Sequence, residues 1–159
     1  MSSAMSAMGV SRSRRLMIVA GFGVGACLIV RPALATSGEL AAAVNGYAGG
    51  APIKAGRVKL DIAPLVDNGN TVPLSVSVDS PMTAADHVVA IAVFNERNPQ
   101  REVIKCTLGP RAGRASISTR IRLATSQKLV AVARMSDGTY WSDTVDVIVS
   151  IAACLENPI

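Results

Sequence analysis

The sequence predicts an all-β protein, an immunoglobulin-like antiparallel β-sandwich of about seven strands, and three observations lead to this prediction. Short segments in which apolar and polar residues alternate recur along the chain, as in half-buried strands. Turn residues such as Ser136-Asp137-Gly138 separate these segments. Half of the 159 residues are hydrophobic and only 3% are aromatic, which favours thin sheets packed through aliphatic side chains over a large aromatic-lined cavity. This length fits one domain.

The first 35 residues have the pattern of an export signal. Basic residues at 12–15 precede an apolar run over 16–30 and the small-residue site Ala33-Leu34-Ala35, the three parts of a secretory signal peptide. The pair Arg14-Arg15 resembles a twin-arginine signal. We therefore predict a signal peptide over 1–35, export to the periplasm and no membrane attachment after cleavage. Two alternatives stay open: a retained anchor, although a bilayer span needs about 20 residues, and lipoprotein processing at Cys27.

A short helix is expected directly after the signal. Ser37 is placed to cap a helix over 39–44, and Gly46 with the Gly49-Gly50 pair is placed to end it. The sandwich domain is predicted to extend over 36–151, followed by a C-terminal arm over 152–159.

Seven segments have the strand pattern. They lie around 58–62, 72–78, 88–94, 103–108, 115–123, 129–135 and 145–151. Pro73 predicts that its strand lies at a sheet edge, because proline cannot donate a ladder hydrogen bond. The segment 88–94 is apolar on both faces, like a central strand. Its outer face and that of the strand with Val130 and Val132 are candidate partner surfaces, unless the domain's own layers cover them.

Two cysteines follow the predicted signal, Cys106 and Cys154. Alternation places Cys106 on one face with Ile104 and Leu108, which indicates a small buried core residue. Cys154 lies near the C-terminus, where chain ends are usually exposed. A Cys106–Cys154 disulfide stays open for an exported protein. The other interpretation is that Cys154 is a reactive, exposed thiol with a functional role.

Composition argues against several functional classes. Four of the sixteen basic residues fall in the first 35 positions, which leaves twelve against eleven acidic residues, so no basic excess indicates nucleic-acid binding. His87 is the single histidine, whereas blue-copper and zinc sites need more nitrogen and sulfur ligands. No Gly-x-Ser-x-Gly elbow or phosphate-binding glycine loop is present. We predict neither a metal, a cofactor nor an independent enzymatic activity.

Several ordered stretches resemble the SoxY family of thiosulfate-oxidation carrier proteins. They are GNTVPL at 69–74, VDSPMT at 78–83, DHV at 86–88, PRAGRA at 110–115, STRIRLA at 118–124 and MSDG at 135–138, with the final strand into Cys154. Together they cover nearly all of the chain after the signal.

The resemblance implies a non-enzymatic β-sandwich carrier that pairs with a second small β-sandwich protein, SoxZ. It implies that Cys154 is the covalent attachment site, that a c-type cytochrome enzyme couples thiosulfate to it, and that other periplasmic enzymes act on the bound sulfur. The alternatives are a structural or protein-interaction module in which Cys154 carries no cargo, and a small redox or metal-handling protein.

The arm departs from the family's usual ending, in which glycines flank the cysteine. Here Ala152 and Ala153 precede Cys154 and Leu155 follows it. Alanine restricts the backbone more than glycine, Leu155 adds bulk, and Glu156 disfavours a nearby thiolate through like-charge repulsion. The sequence therefore predicts that this arm is stiffer, and its thiol less readily ionised, than in other members of the family.

Overall fold

The computed structural model describes residues 35–152. One helix and nine strands make up its regular structure, apart from a 3-10 turn at Pro110–Ala112. They are α1 (Ala35–Tyr47), β1 (Ile53–Ala55), β2 (Val58–Asp61), β3 (Leu65–Asn68), β4 (Val72–Val78), β5 (Val88–Asn95), β6 (Glu102–Thr107), β7 (Ser116–Ile121), β8 (Gln127–Met135) and β9 (Tyr140–Ile151). The predicted all-β class, the short helix and the seven predicted strands are confirmed; β1 and β3 are additional. The helix begins earlier than predicted, at Ala35, so Ser37 lies within its first turn and the prediction that Ser37 caps the helix is wrong.

Two sheets form the sandwich. The smaller has the order β2-β4-β7, and the larger has the order β1-β9-β8-β5-β6 with β3 also paired to β9. Alternation in β4 points Val72, Leu74, Val76 and Val78 inward and leaves Pro73 and Ser77 exposed. These side chains pack against inward-facing residues of the large sheet such as Ile91, Leu129 and Val147. Burial of this aliphatic layer is the main stabilisation of the fold.

Helix α1 covers the outer face of the large sheet. Leu40 is 5% exposed and joins Ala92, Phe94 and Val132 in a second apolar cluster. The ring of Tyr47 packs edge-on against Phe94, with ring centroids 5.6 Å apart, an arrangement that aromatic pairs favour. The idea that this face receives a partner is therefore wrong, because the domain's own helix buries it.

The position predicted for Pro73 is also wrong. Strand β4 lies between β2 and β7 and is the central strand of the small sheet. The pairing of β2 with β4 ends at Asp61 opposite Ser75, whereas Pro73 pairs with Arg120 of β7. Proline is accommodated because β2 does not extend as far as Pro73, so only one side of the strand needs a partner at that residue.

Strand β9 is the longest strand and defines two ends of the sandwich. It begins after the Ser136–Thr139 hairpin turn, in which Gly138 has φ 81°, and it ends at Ile151. Along its free edge, β1 pairs in parallel with its first residues and β3 with its last. We call the end at the turn the hairpin end and the end at Ile151 the arm end. Within residues 35–152 no helix is long and apolar enough to cross a membrane.

Candidate functional site

The predicted attachment residue lies just beyond the arm end. Ala152 is the last residue that the structure describes, and Cys154, Ala153 and Leu155 lie outside the described residues, as do Arg14 and Arg15 of the predicted export signal. Cys154 follows Ile151 by three residues, so its Cα atom lies at most about 11 Å from that of Ile151. The position of Ile151 therefore limits how far the Cys154 Cα atom can lie from the described domain.

Hydrogen bonds hold β9 in place up to its last residue. Gly69 donates its amide to the carbonyl of Ile151 at 2.8 Å, and the carbonyl of Gly69 accepts from the amide of Leu123 at 2.9 Å. The hydroxyl of Ser126 accepts from the amide of Val149 at 2.9 Å. Because the β3–β4 and β7–β8 connections at this end are hydrogen-bonded to β9 and to each other, the arm begins at a rigid base.

Apolar side chains surround that base. Within the described residues, the large hydrophobic side chains with high exposure are Leu65 at 61%, Ile148 at 60% and Ile151 at 62%. Leu65 and Ile148 are register neighbours on β3 and β9 and share the outer face of the sheet. Sequence reasoning missed this surface because β3 is four residues long and has no extended alternating pattern.

Cys106 lies on the inner face of β6, half-buried against the main core. Its Sγ is 3.8 Å from the carbonyl oxygen of Ile91, and burial raises the pKa of the thiol. Because the thiolate is the nucleophilic form, the raised pKa makes the Cys106 thiol less nucleophilic. The interpretation of Cys106 as a core residue is thus supported, although its side chain is partly rather than fully buried.

Cys154 cannot reach Cys106 within the folded chain. Cys106 lies opposite Ile91 of β5, Ile91 lies opposite Ala133 of β8, and Ala133 lies opposite Trp141 of β9. Trp141 precedes Ile151 by ten residues, a distance of about 33 Å along an extended strand. The arm spans about 11 Å, and a disulfide needs Cα atoms within about 7 Å. The distances along the described strands therefore argue against a Cys106–Cys154 disulfide within one folded chain.

His87 also lies far from the arm. Its amide donates to the hydroxyl of Ser136 at 3.1 Å, which places it at the hairpin end, where it immediately precedes β5 as expected. A catalytic pair of His87 with Cys154 is excluded by the length of β9. Across residues 35–152, no three His, Cys, Asp or Glu side chains come close enough together to bind a metal ion.

The arm end can therefore present one thiol on a short tether attached to a rigid domain. A thiolate forms covalent bonds to sulfur by attacking a sulfur–sulfur bond and is released by the reverse exchange. The described residues place neither His87 nor Cys106 near the start of the arm. This chemistry is that of a covalent attachment site, which is the role that the sequence predicts for Cys154.

Comparisons with known proteins agree with this geometry. The family model of the sulfur oxidation protein SoxY matches residues 44–154, a range that ends on the arm cysteine. The solved structure of the sulfur carrier protein SoxY from Chlorobium limicola f. thiosulfatophilum has a TM-score of 0.61 and 24% identity, covering 72% of this chain and 99% of that chain. No curated protein matches the chain.

Other solved structures share the fold alone. A superoxide reductase (neelaredoxin) from Ignicoccus hospitalis has a TM-score of 0.53 and 18% identity over 59% of this chain and 80% of that chain. The superoxide reductase from Nanoarchaeum equitans has a TM-score of 0.51 and 12% identity over 60% and 100% of the two chains. At these identities the likeness concerns the sandwich and not its chemistry.

Proposed function

The chain belongs to the SoxY family of sulfur oxidation proteins, and from this premise we propose that it is a periplasmic sulfur carrier that binds its cargo covalently through Cys154. The observation that carries the proposal is that the family match extends to Cys154, three residues beyond a strand end that is held by backbone hydrogen bonds. The protein holds sulfur intermediates while other enzymes act on them, and it performs no turnover alone.

The export of the carrier is part of the proposal. Arg14 and Arg15, the apolar run and Ala33-Leu34-Ala35 support translocation by the twin-arginine pathway, followed by cleavage after Ala35. Cleavage at that point leaves the sandwich and the arm intact, with Cys106 and Cys154 as the remaining thiols.

The proposed partners follow from the resemblance to SoxY proteins. They are a SoxZ-like β-sandwich subunit that forms a heterodimer with this chain, a c-type cytochrome enzyme that couples thiosulfate to Cys154, and periplasmic enzymes that process the bound sulfur. The short tether supports a contact between these enzymes and the base of the arm. An active site that receives Cys154 within about 11 Å of Ile151 meets Leu65, Ile148 and Ile151 as the nearest exposed apolar side chains.

The test uses a thiosulfate-oxidising host that lacks its own copy of this protein. Cells that express the chain are grown with thiosulfate, and the purified protein is measured by intact mass with and without reductant. We expect a reductant-sensitive adduct of sulfur or thiosulfate that maps to Cys154. The variant Cys154→Ser should lose the adduct and lower thiosulfate consumption to that of the deletion strain.

The matched control is Cys106→Ala, which removes the other thiol of the domain and should retain both the adduct and thiosulfate oxidation. If Cys154→Ser sustains thiosulfate oxidation at the rate of the parent chain, the carrier role is wrong. The protein is then a structural or interaction module.

A further inference from the structure

Most strand edges of the sandwich are protected against pairing with another protein. Natural sheets use short strands, bulges, lysine side chains or a covering group for this purpose. In the large sheet, β1 and β3 have three and four residues; β6 has a register shift opposite Val93 and Phe94, and Lys105 within it. In the small sheet, β2 has four residues, and the amide of Leu60 on its free edge donates to the Asp143 carboxylate of β9 at 2.8 Å.

Strand β7 is the other edge of the small sheet and has none of these protections. It pairs with β4 over six consecutive residues without a register shift, from Ser116 opposite Ser77 to Ile121 opposite Val72. It contains no lysine. Among the strands described here, β7 is therefore the edge that is both long and regular enough to accept a further strand.

The backbone of β7 directs unpaired groups away from the sheet. The amide of Val78 donates to the carbonyl of Ala115 at 2.8 Å. Hydrogen-bonded and non-hydrogen-bonded pairs alternate along an antiparallel ladder, so the N–H and C=O groups of Ile117 also point toward β4. Within residues 35–152, no other backbone group bonds to the outward-directed N–H and C=O groups of the alternate residues. These residues are Ser116, Ser118 and Arg120.

Apolar side chains are partly uncovered beside this edge. Ile117 lies opposite the buried Val76 and faces the core, but it is half-buried because β7 is the last strand of its sheet. Ile104 of β6 is half-buried for the same reason. The side chain of Asn98, which precedes β6, donates to the carbonyl of Arg122, which follows β7, at 2.8 Å. The edges of β6 and β7 therefore lie on the same side of the sandwich, and that side leaves part of the apolar interior uncovered.

The charge along this edge is positive. Arg111, Arg114 and Arg120 are exposed, and the segment 103–136 contains no acidic residue. Within residues 35–152, no carboxylate oxygen lies within 4.0 Å of these three guanidinium groups. The outer-face carboxylate of Asp61 is two strands away from β7, about 10 Å. A second copy of this edge brings the same positive charge, which opposes pairing, whereas an acidic strand complements it.

We propose that the free edge of β7 binds an extended segment of a partner protein, which adds to the small sheet as a fourth strand and alternates acidic with apolar residues. Its backbone pairs with the outward groups of Ser116, Ser118 and Arg120, as in other cases of strand addition. Its acidic side chains lie on the outer face beside Arg120, and its apolar side chains cover Ile117. This inference goes beyond the carrier role and does not depend on the attachment of sulfur to Cys154.

The test uses the purified protein and a synthetic peptide that is long enough to span β7 and in which glutamate alternates with valine. Binding is measured by fluorescence anisotropy, and amide resonances locate the peptide. We expect saturable binding, with the largest shifts at Ser116, Ser118 and Arg120. A peptide with lysine in place of each glutamate should bind about tenfold more weakly at low salt, because the arginines repel it. If the glutamate peptide does not bind at about 1 mM, the proposal is wrong.

Two N-methylated forms of the glutamate peptide test whether the backbone forms the contact. In one form every valine nitrogen is methylated, and in the other every glutamate nitrogen. Because successive N–H groups of a strand point in opposite directions, one form loses the N–H groups that face β7 and the other loses those that face solvent. We expect the first to lose binding and the second to retain it. If both forms bind as the unmodified peptide does, the contact is not strand addition and the proposal is overturned.

Substitutions at Ser118 test the same contact from the side of the protein. Ser118→Pro removes an N–H that does not bond to β4 and places the proline ring at the free edge, where proline is tolerated. It should weaken binding of the glutamate peptide by about tenfold. The matched control is Ser118→Ala, which loses the same hydroxyl contact with Ser75 and keeps the N–H; it should bind within about twofold of the parent. Thermal unfolding confirms that both variants are folded, and the N-methylated peptides decide the question if Ser118→Pro is not.

A charge substitution tests the acidic character of the partner. Arg120→Gln should weaken binding by about threefold to fivefold at low salt. The control Arg134→Gln removes the same charge from an exposed position on β8 and should keep the affinity within about 1.5-fold. Equal effects of the two substitutions would overturn the assignment of an acidic strand to β7. Sedimentation of the protein alone tests the second copy: a dimer that Ser118→Pro abolishes would show that β7 pairs with itself, and the proposed partner would be wrong.

Discussion

The separation of the two cysteines leads to a sharp prediction about oxidation. The folded full chain with Cys27→Ser contains Cys106 and Cys154 as its thiols, and mild oxidation with diamide should produce no bond between them. Trp141 is the residue of β9 that lies at the same height along the strands as Cys106. It is about 33 Å from Ile151 along the strand. The arm recovers about 11 Å of this distance, which leaves a gap of roughly 20 Å, several times the disulfide limit of about 7 Å between Cα atoms.

The assay is non-reducing electrophoresis with peptide mass mapping after diamide treatment. We expect a dimer joined through Cys154 of two chains, at a yield that rises with protein concentration, and reduced Cys106 in nearly all molecules. The same treatment in 8 M urea should give the intramolecular bond readily, because the unfolded chain brings the two thiols together. This denatured sample is the positive control for the mapping.

A native sample in which most monomers contain a Cys106–Cys154 bond would refute the reasoning. Such a bond requires either that β9 leaves the sheet from about Ser142 onward or that β6 detaches from β5. Cys106→Ala distinguishes this outcome from poor mapping, since it removes the intramolecular product and should leave dimer formation unchanged.

Two further predictions concern the outer face of the large sheet and the base of the arm. Tyr47→Phe should raise the free energy of unfolding at pH 7 by about 1 kcal/mol, because the Tyr47 hydroxyl is buried without a hydrogen-bond partner among residues 35–152. Burial raises the pKa of Tyr47 to about 12, so the folded parent keeps a proton that the unfolded chain loses above pH 10, and its stability falls between pH 10 and 12. Because the Tyr47 side chain is only partly buried, solvent screening reduces that loss to about 1 kcal/mol. Urea unfolding followed by Trp141 fluorescence should show a larger stability advantage of Tyr47→Phe at pH 11 than at pH 7, and an equal advantage at both would contradict the assignment. Ile148→Ser should slow enzymatic loading of Cys154 several-fold while leaving the thermal midpoint within about 2 °C, because the side chain is 60% exposed; unchanged loading would show that the enzymes do not contact the base.

The alternating segments were predictable because their pattern is physical. In β4 each inward position is aliphatic and each outward position is proline or serine, so only one assignment of faces buries the apolar set. The Ser136–Thr139 turn was likewise readable, since its glycine adopts the positive φ that such a hairpin requires. The presence of these strands and the face that each turns toward the core follow from these local features.

The errors arose where sheet order decides the outcome. A proline indicates a strand edge from sequence alone, but Pro73 is central because β2 stops short of it. From sequence alone, the apolar outer face of β5 and β8 is consistent with a partner surface. In the structure α1 covers this face, and the sequence of the helix gives little indication of the surface against which it packs. The short strands β1 and β3 pair with β9 through non-local contacts, which no local pattern can specify.

The candidate site likewise contains features that the sequence predicts and features that depend on the fold. Cys154 was selected from its place in the sequence and from the resemblance, without any knowledge of the sheets. Two features of its surroundings, the hydrogen-bonded end of β9 and the exposed apolar residues near it, depend on strands that are distant in sequence.

A short arm on a rigid base changes how a carrier selects its enzymes. Two residues, Ala152 and Ala153, separate Ile151 from Cys154. In the proposed carrier role the thiol therefore stays close to the domain, and an enzyme that acts on it is expected to bring its active site to the domain surface. Alanine at 152 and 153 narrows the unbound conformations, and each replacement of glycine by alanine reduces the ordering cost by about 0.4–1 kcal/mol where the bound conformation is one that alanine can adopt. An enzyme whose channel requires glycine-like backbone angles loses that advantage and meets strain instead. In the proposed carrier role, the exposed apolar residues Leu65, Ile148 and Ile151 at the base are expected to contribute to which enzymes bind productively. The choice of partner then depends on the surface around the arm as well as on the cysteine.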